Sequence, residues 1–379
     1  MLMVCCDWFS PGVRAGGPIR SVVNLVNLLG KRVDVQVLTG CRDLGERRVY
    51  QGVEVNQWVE WNGRAQVFYG TGWGRFIAFR RVLREQRPQA VYLNSMFSFP
   101  GTLWPLVLCA RLPESTRVVL APRGMLKGSA LGRKAWKKRP LLRLLRGLGL
   151  MKRVVFHATS EDELTEIERE FPGSRAVLVP NVPQQPLEVL PERSVTDGVL
   201  RLCCVGRVHP IKNVHLAIES LQGLERPCEL TVVGPEEDAG YAAHCRQLAA
   251  VLPGHLRVSF AGTLKESQIQ QLLIHADAMI LPTQGENFGH AIFEALGVGT
   301  PVIISDCTIW RNLQERRAGW DLPLSEGARP FAEALRQLAT MGVDQRRQLR
   351  QGALGMAKQF VQDNSFLEDY QRLFWGPLS

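Results

Sequence analysis

Short apolar runs alternate with helical patterns along almost the whole chain of 379 residues. Each run is long enough for one strand and is nearly continuous in apolar residues, as in LMVCC (2–6), AVYLN (90–94) and LRLCCVG (200–206). Strands of this composition are buried on both faces, which is typical of parallel sheets covered by helices. The alternation therefore predicts an α/β fold built from doubly wound, Rossmann-like sheets.

The remaining strand-like runs fall into two sets. They lie at 33–39, 117–122, 154–159 and 176–181 in the first set, and at 228–234, 258–262, 278–282 and 301–305 in the second. Helices are predicted between them, among others at 18–30, 213–224 and 266–276. A Pro-rich, aperiodic segment at 181–198 reads as a linker. We therefore predict an N-terminal domain over 1–182, a C-terminal domain over 183–363 and a final amphipathic helix within 364–379.

Composition argues against several classes of protein. No run reaches the ~18 apolar residues that a membrane-spanning helix needs. The N-terminal run MLMVCC is too short for a signal peptide and meets Asp7 early, so we expect a cytoplasmic protein. The nine cysteines form no C-x-x-C pair and no Cys/His zinc spacing. We expect them to be buried, reduced thiols.

Positive charge is concentrated in the first half of the chain. The net charge is +10, and residues 1–182 carry +14 while the remainder carries −4. Residues 117–153 hold twelve Lys and Arg and no acidic residue, interleaved with apolar side chains. A basic amphipathic helix of this kind suits an anionic membrane surface. Two alternatives stay open, a charged face on a helix that packs inward and a nucleic-acid surface, although no nucleic-acid-binding motif is present.

A glycine-rich turn follows the first predicted strand. In GGPIR, Gly16 and Gly17 allow a ligand to approach the backbone closely, and Pro18 suits the first turn of a helix. The amide groups at such a helix start favour a phosphate. The same glycines are also compatible with a turn that has no ligand.

A pair of cations follows the first strand of the second set. In VGRVHPIKN, Arg207 and Lys212 lie on either side of a turn that contains Pro210. Arg offers a planar fork and Lys a mobile point charge, and together they suit a diphosphate. Two solvated surface cations are the alternative.

A loop and helix with two glutamates form the third motif. The segment TQGENFGHAIFEAL places Glu286 in the loop and Glu294 about one turn into the helix. Carboxylates accept hydrogen bonds from vicinal hydroxyl groups, as on a sugar or a ribose. The amides of Phe288, Gly289 and His290 would meet the phosphates between them. Two unrelated glutamates eight positions apart are the alternative reading.

The three motifs occur together, in order, in a known family. Glu286 to Glu294 resembles the Glu-x7-Glu motif of glycosyltransferase family 4, the group 1 glycosyl transferases. VGRVHPIKN resembles the VGR-x4-K phosphate motif, GGPIRSVVNL the N-terminal glycine loop, and HADAMILPT the strand before the glutamates. The resemblance covers nearly the whole chain. It implies the GT-B fold, with two Rossmann-like domains facing across a cleft, and a retaining hexosyl transfer (EC 2.4) without metal or cofactor; the chain has no D-x-D triplet.

The resemblance also implies a role for each motif residue. The implied catalytic residues are Arg207, Lys212 and Glu286. The implied ligands of the donor phosphates are Gly16, Gly17, Arg207, Lys212, Gly289 and His290. The implied ligands of the donor sugar are Glu286, Asn287, Phe288 and Gly289, with Glu294 on the ribose and no metal ligand. The N-terminal domain would bind the acceptor, and the helix within 364–379 would pack back on it.

The sequence departs from the family in one place. Many members carry His near the reacting sugar, where this chain has Arg123 in VVLAPRGML. Arg123 and His157 are candidates for contact with the donor or acceptor, and a buried structural role for His157 stays open. PRGML and HATSEDE resemble a subgroup that builds bacterial lipopolysaccharide, capsule or exopolysaccharide. That subgroup implies a saccharide acceptor linked to polyprenyl diphosphate, and a protein on the inner face of the cytoplasmic membrane.

Two other functions remain compatible with the sequence. A sugar-nucleotide epimerase shares the GT-B architecture and would isomerise the donor without an acceptor. A non-enzymatic basic binding protein would bind nucleic acid in a salt-sensitive way and would ignore nucleoside diphosphates.

Overall fold

The computed structural model describes residues 1–113, 115–132, 135–193 and 198–377. Arg133 and Lys134 of the predicted basic helix, 194–197 of the predicted linker and 378–379 lie outside the described residues. The chain divides into two compact units, Met1–Val182 with Ser365–Ser379, and Pro183–Asn364. Each unit is built around its own parallel sheet.

The N-terminal unit contains an eight-stranded sheet. Its strands are β1 (Leu2–Cys5), β2 (Val35–Gly40), β3 (Trp58–Trp61), β4 (Ala65–Gly70), β5 (Ala90–Leu93), β6 (Arg117–Leu120), β7 (Val154–Ala158) and β8 (Arg175–Leu178). Their order is β3-β4-β2-β1-β5-β6-β7-β8, parallel except for the β3–β4 pair. The helices are α1 (Gly17–Leu29), α2 (Gly72–Glu85), α3 (Trp104–Cys109), α4 (Gly128–Gly132), α5 (Ala135–Gly147) and α6 (Glu161–Glu170).

The direction of the crossovers fixes which helices share a face of this sheet. The connections from β4 to β5, β5 to β6 and β6 to β7 all run the same way across the strand order. Right-handed crossovers therefore place α2, α3 and α5 on one face and α1, whose connection runs the other way, on the opposite face. The core agrees, because Phe79, Leu106 and Leu142 from these three helices are buried in one cluster with Val91 and Leu93 of β5.

The C-terminal unit contains a six-stranded, all-parallel sheet. Its strands are β9 (Leu200–Val205), β10 (Cys228–Val233), β11 (Leu256–Gly262), β12 (Ala278–Leu281), β13 (Val302–Ser305) and β14 (Gly319–Leu322), in the order β11-β10-β9-β12-β13-β14. The helices are α7 (Val214–Glu219), α8 (Ala239–Ala250), α9 (Glu266–His275), α10 (His290–Gly297), α11 (Arg329–Thr340) and α12 (Val343–Gln362).

The strand order of this sheet changes direction between β9 and β12. The chain leaves β9 toward β10 on one side and leaves β12 toward β13 on the other. Ligands of open α/β sheets bind beyond the carboxyl ends of the strands at such a switch point. The topology therefore points to the segments that follow β9 and β12.

The last helix, α13 (Phe366–Trp375), packs on the N-terminal unit. The hydroxyl group of Tyr370 donates to the carbonyl of Pro180 at 3.2 Å. The guanidinium of Arg117 donates to the carbonyls of Arg372 and Leu373 at 3.0 Å each. The bonds from Arg117 reach carbonyl groups in the last turn of α13, where the carbonyl of Arg372 also accepts the amide of Gly376 at 2.9 Å.

The structure confirms the predicted α/β class and the two Rossmann-like sheets, and it adds three strands. β3 and β4 form a hairpin across Asn62 and Gly63, which both have positive φ (51° and 63°). An Asn-Gly pair is the strongest short-range sequence signal for a hairpin, and it marks this one. The third added strand is the short edge strand β14. α7 is shorter than predicted, since residues 220–223 form turns after Glu219.

Two further expectations concern cysteines and membrane-spanning helices. All nine cysteines are free thiols; eight are buried, as expected, and Cys307 is exposed. In the part of the chain that the structure describes, we find no helix with the length and apolar character needed to cross a membrane.

Candidate functional site

The segment after β9 forms a tight turn that presents the two predicted phosphate ligands. Arg207 follows the strand, and its Nη1 donates to Oε2 of Glu237 at 2.8 Å. Lys212 closes a short 3-10 turn that begins after His209, whose Nδ1 accepts the amide of Ile211 at 3.1 Å. Asn213 then takes a left-handed conformation (φ 50°) and starts α7. The turn therefore fixes the backbone that carries Lys212.

The segment after β12 is hydrogen-bonded to that turn. The amide of Gln284 donates to the carbonyl of Ile211 at 2.8 Å, and the hydroxyl of Thr283 donates to the same carbonyl at 3.2 Å. The side-chain amide of Asn213 donates to the carbonyl of Pro282 at 2.8 Å. Two motifs more than seventy residues apart in sequence thus form one structural unit at the switch point of the sheet.

Lys212 and Glu286 meet where the two segments join. The ammonium group of Lys212 forms an ion pair and hydrogen bond with Oε1 of Glu286. Each side chain is only 13% exposed, so water screens this pair less than it screens a surface ion pair. A predicted phosphate ligand and a predicted sugar ligand therefore share one partly buried position.

The start of α10 completes this edge of the C-terminal sheet. Gly289 precedes the helix with φ +80°, and a β-carbon there would lie 3.0 Å from Cδ1 of Ile292. His290 is the first helical residue, and the residue at the N-cap, Gly289, has no side chain that could cap the helix. The first amides of a helix have no partner within it, so they favour an anion. Glu294 is partly exposed one turn further along.

The Phe288 side chain belongs to the core of the unit. It is buried, and its ring packs 5.6 Å from Trp310 and 5.9 Å from Phe293. The indole of Trp310 donates to the carbonyl of Phe288 at 2.7 Å. Only the backbone of Phe288 is therefore available for the predicted role, and its ring sets the position of the neighbouring Asn287 and Gly289.

The other predicted site residues lie in the N-terminal unit. Gly16 precedes α1 with φ +59°, a conformation that favours glycine, and Gly17 is the first residue of the helix. The loop before them is held by Asp43, whose carboxylate accepts the amides of Val13 and Arg14 at 2.8 and 3.1 Å.

The guanidinium of Arg123 forms three side-chain hydrogen bonds at the carboxyl end of the N-terminal sheet. Its Nε donates to Oδ1 of Asn94 and its Nη2 to the hydroxyl of Tyr92, both at 2.6 Å, and its Nη1 bonds to Oδ1 of Asn181. It joins the segments that follow β5, β6 and β8, and its own backbone has positive φ (57°). Arg123 is partly exposed.

His157 lies behind this network and is fully buried. Its Nδ1 bonds to the hydroxyl of Tyr92 and its Nε2 to the carbonyl of Val179, both at 2.8 Å. Nε2 donates to the carbonyl, and in a neutral ring Nδ1 accepts from the hydroxyl of Tyr92. Burial, reinforced by the nearby Arg123 charge, lowers the pKa of His157 to about 3. This environment matches a buried structural role for His157, which was one of the two roles open from the sequence.

Three residues of the site were not predicted from the sequence. Glu237 follows β10, and its only signal was an acidic run, PEED. Asn213 and Gln284 carry no charge, and their role is to join the two segments. Among the described residues, no group of three or more His, Cys, Asp or Glu is placed to hold a metal ion.

Two family models match the chain. The model described as "Glycosyl transferases group 1" matches residues 200–341, and the model described as "Glycosyl transferase 4-like domain" matches residues 16–182. Together they cover both units and include all three motifs. The chain belongs to glycosyltransferase family 4. This confirms the family resemblance that the three sequence motifs indicated.

Individual relatives are distant. Glycogen synthase of Mycobacterium tuberculosis is 32% identical over 117 residues, which are 30% of this chain. The chain spans only 28% of that relative's length.

Among solved structures, the chain is similar to WaaG, a glycosyltransferase involved in lipopolysaccharide biosynthesis, over 100% of both chains, with a TM-score of 0.68 at 16% identity. HepE of Anabaena, in complex with UDP-glucose, covers 98% of this chain and 99% of its own with a TM-score of 0.68 at 16% identity. These similarities confirm the GT-B fold.

Proposed function

We propose that this protein is a glycosyltransferase (EC 2.4) that takes its sugar from a nucleoside diphosphate sugar. The observation that carries the proposal is the ion pair of Lys212 and Glu286, held at the switch point of the C-terminal sheet by the joined segments after β9 and β12. Family membership supports the reaction class. The structural neighbour HepE, solved with UDP-glucose, supports the class of donor.

Donor binding would replace ion pairs that exist within the protein. Arg207 is paired with Glu237, and Lys212 with Glu286. A diphosphate has more charge and more acceptor oxygens than either carboxylate, so it would draw both cations to itself. Glu286 would then be free to accept hydrogen bonds from sugar hydroxyl groups. Glu294 would hold the ribose, and the start of α10 would face the phosphates.

The same residues would stabilise the transition state. As the anomeric C–O bond breaks, positive charge develops on the sugar and negative charge on the departing diphosphate. Arg207, Lys212 and the amides of α10 stabilise that negative charge from fixed positions. The acceptor hydroxyl would attack from the face that the diphosphate leaves, and a leaving phosphate oxygen would take its proton. Configuration at the anomeric carbon is then retained, and no metal or cofactor is required.

The acceptor is proposed to be a saccharide of a bacterial surface polysaccharide, linked to polyprenyl diphosphate. The relation to WaaG, a lipopolysaccharide enzyme, supports this class of product. The basic segment 117–153, which includes α5, would bring the protein to anionic lipid on the cytoplasmic face of the membrane. Gly16, Gly17 and Arg123 are the residues of the N-terminal unit that we expect near the reacting groups.

A donor screen tests the proposal. The purified chain is titrated with UDP-, GDP-, ADP- and CMP-sugars while its thermal unfolding is followed, in buffer with EDTA. We expect one nucleoside diphosphate sugar to raise the melting temperature, because a ligand that binds only the folded state stabilises it. The product formed from that donor is then analysed by NMR, with the donor's own anomeric configuration expected.

Specific outcomes would contradict parts of the proposal. If no nucleotide sugar stabilises the chain, the donor site is wrong. If the donor is isomerised in the absence of any acceptor, the protein is an epimerase. A strict requirement for a divalent metal, or an inverted product, would contradict the mechanism but leave the donor site in place.

A further inference from the structure

Aromatic side chains at the starts of α2 and α3 form a cluster on the surface of the N-terminal unit. The aromatic cluster consists of Trp73, Phe76, Phe99 and Trp104. The Trp104 ring centroid lies 5.2 Å from those of Phe76 and Phe99 and 6.4 Å from that of Trp73. Trp73 and Phe76 stack at 5.3 Å. None of these residues belongs to a motif of the proposed donor site.

The cluster is open to solvent. Trp73 is 67% exposed and Phe99 is 58% exposed, and the aliphatic side chains of Ile77 and Val107 beside them are exposed as well. Single exposed apolar residues are ordinary, but a contiguous group marks an interaction site. Among the described residues, the only other exposed aromatic side chain is Trp136 of α5.

Topology places Trp136 on the same layer as the cluster. α2, α3 and α5 cover one face of the N-terminal sheet, and α5 with the turn after it adds the exposed Leu144 and Leu148. The ammonium group of Lys138 on α5 lies 5.2 Å over the ring of Phe97, two residues before Phe99. The apolar surface of α2 and α3 and the amphipathic α5 are therefore parts of one surface.

The α2 and α5 part of this layer is complementary in charge to anionic lipid, whereas α6, at the β8 edge of the sheet, is acidic and pairs Glu170 with Arg146 of α5. Exposed Arg80 and Arg84 lie on α2, and exposed Lys137, Arg139 and Arg143 lie on α5. α5 contains no acidic residue. Trp side chains favour the boundary between lipid and water, and Lys and Arg beside them favour the phosphates of lipid headgroups.

We propose that the aromatic cluster and Trp136 insert at the headgroup boundary of an anionic bilayer, while the basic residues of α5 lie among the headgroups. The inference goes beyond the proposed function, because it assigns membrane insertion to α2 and α3, outside the basic segment 117–153, and does not depend on donor binding.

Two other occupants fit the layer less well. A second copy of the chain in a two-fold interface centred on α5 would place the Lys and Arg side chains of that helix against those of the other copy. A saccharide would stack on one or two rings but would leave Ile77, Leu144 and Leu148 in water. A bilayer covers the aromatic, aliphatic and basic side chains together.

Vesicle flotation without nucleotide tests the proposal. The full chain is mixed with vesicles of phosphatidylcholine alone or with about a third phosphatidylglycerol, at low and high salt. We expect the double variant Trp73→Ser, Phe99→Ser to bind both kinds of vesicle at least tenfold more weakly, with loss of the salt-resistant part of binding. Arg139→Gln with Arg143→Gln should instead lose only the preference for anionic vesicles.

A matched control comes from the C-terminal unit. Val189 and Val251 are 78% and 73% exposed, and their double Ser variant should bind vesicles as the natural chain does. Circular dichroism and a thermal melt establish that each variant is folded. If an aromatic variant fails to fold, Trp73→Phe is compared with the natural chain for fluorescence quenching by brominated lipid. We expect a smaller quenched fraction with binding retained.

The outcomes separate the proposal from its competitors. A folded aromatic double variant that binds vesicles like the natural chain would overturn it, as would a natural chain that binds no vesicles. If vesicle binding is unchanged in the variant, a dimer that dissociates would identify a second copy of the chain as the occupant. A raised KM for the acceptor in detergent would identify a saccharide. Donor binding measured without lipid is a separate result, so failure of one inference does not imply failure of the other.

Discussion

Removing the positive charge of Lys212 should weaken donor binding, and the variants below separate this loss from the cost to the fold. A hydrogen bond to a charged group contributes about 1.5–3 kcal/mol, which corresponds to roughly 10- to 150-fold in affinity. Lys212 gives up its bond to Glu286 when the diphosphate binds, so part of that gain is offset. We therefore expect Lys212→Met to raise the Kd for UDP by about 10- to 30-fold, the lower part of that range.

The opposite charge in the pair should behave differently. The carboxylate of Glu286 competes with the diphosphate for Lys212, and its negative charge repels the diphosphate. Glu286→Gln should therefore bind UDP as tightly as the natural chain or more tightly. Turnover should nevertheless fall by about a hundredfold or more, because the carboxylate that would hold the sugar in the transition state is gone.

Isothermal titration with UDP and thermal melts of both variants and their combination complete a double-mutant cycle. Lys212→Met leaves a carboxylate that is 13% exposed without its partner, which costs about 1–3 kcal/mol of stability. The double variant should recover that loss but not the UDP affinity. Arg257→Met is the control, since Arg257 is exposed at the opposite, amino end of β11. An unchanged Kd for UDP in Lys212→Met would refute the reasoning. An equal rise of the Kd in Glu286→Gln would refute it as well.

Three other substitutions test separate parts of the structure. Gly289→Ala forces a β-carbon into a left-handed position 3.0 Å from Ile292, so we expect a loss of about 1–3 kcal/mol in a thermal melt; Gly355→Ala, where the added carbon meets nothing within 4 Å, should not destabilise, and equal melts for the two would contradict the strain. The pKa of His157 is about 3 in the folded chain, so only the unfolded chain binds a proton at this residue as the pH falls below about 6.5. The free energy of unfolding should therefore fall by about 1.4 kcal/mol per pH unit between pH 6.5 and pH 3. His157→Gln should make the slope of unfolding free energy between pH 6.5 and 5 shallower, and an unchanged slope would argue against a neutral buried ring. Arg117→Ala removes the bonds to the carbonyls of Arg372 and Leu373, so amide exchange in α13 should speed up at least tenfold while α1 is unaffected; unchanged exchange in α13 would show that its packing does not need them.

The parts of the fold that the sequence predicts are those set by local patterns. Buried parallel strands such as β1 and β9 are continuous apolar runs, so their position needs no knowledge of the rest of the chain. β3 was not predicted because Trp58–Trp61 is only half-buried and its pattern is weak, whereas β4, AQVFYG, is a largely buried run that the prediction left out. The edge strand β14 is similarly short and is defined mainly by its pairing with β13.

The candidate site was predictable as a set of residues but not as an arrangement. Motif spacing identified Arg207, Lys212 and Glu286, and the sheet topology explains why their segments are neighbours. The ion pair of Lys212 with Glu286 depends on hydrogen bonds through Asn213 and Gln284, which no charge or spacing indicates. Such contacts arise only when β9 and β12 pair.

Two features depend entirely on tertiary structure. The network of Arg123 draws on residues after three different strands, β5, β6 and β8, so no local pattern could distinguish it from a ligand contact. The aromatic cluster combines Trp73 with Phe99 and Trp104, which lie about thirty positions away and come together only because α2 and α3 share a face of the sheet. Each helix alone looks like an ordinary amphipathic segment.

The position of the donor diphosphate in a complex tests the central claim most directly. A crystal structure of the chain with its nucleoside diphosphate sugar should place phosphate oxygens within hydrogen-bond distance of Lys212 and Arg207. Glu286 should then be turned from Lys212 to the sugar hydroxyl groups. A diphosphate bound elsewhere, with the Lys212–Glu286 pair intact, would contradict the proposed site.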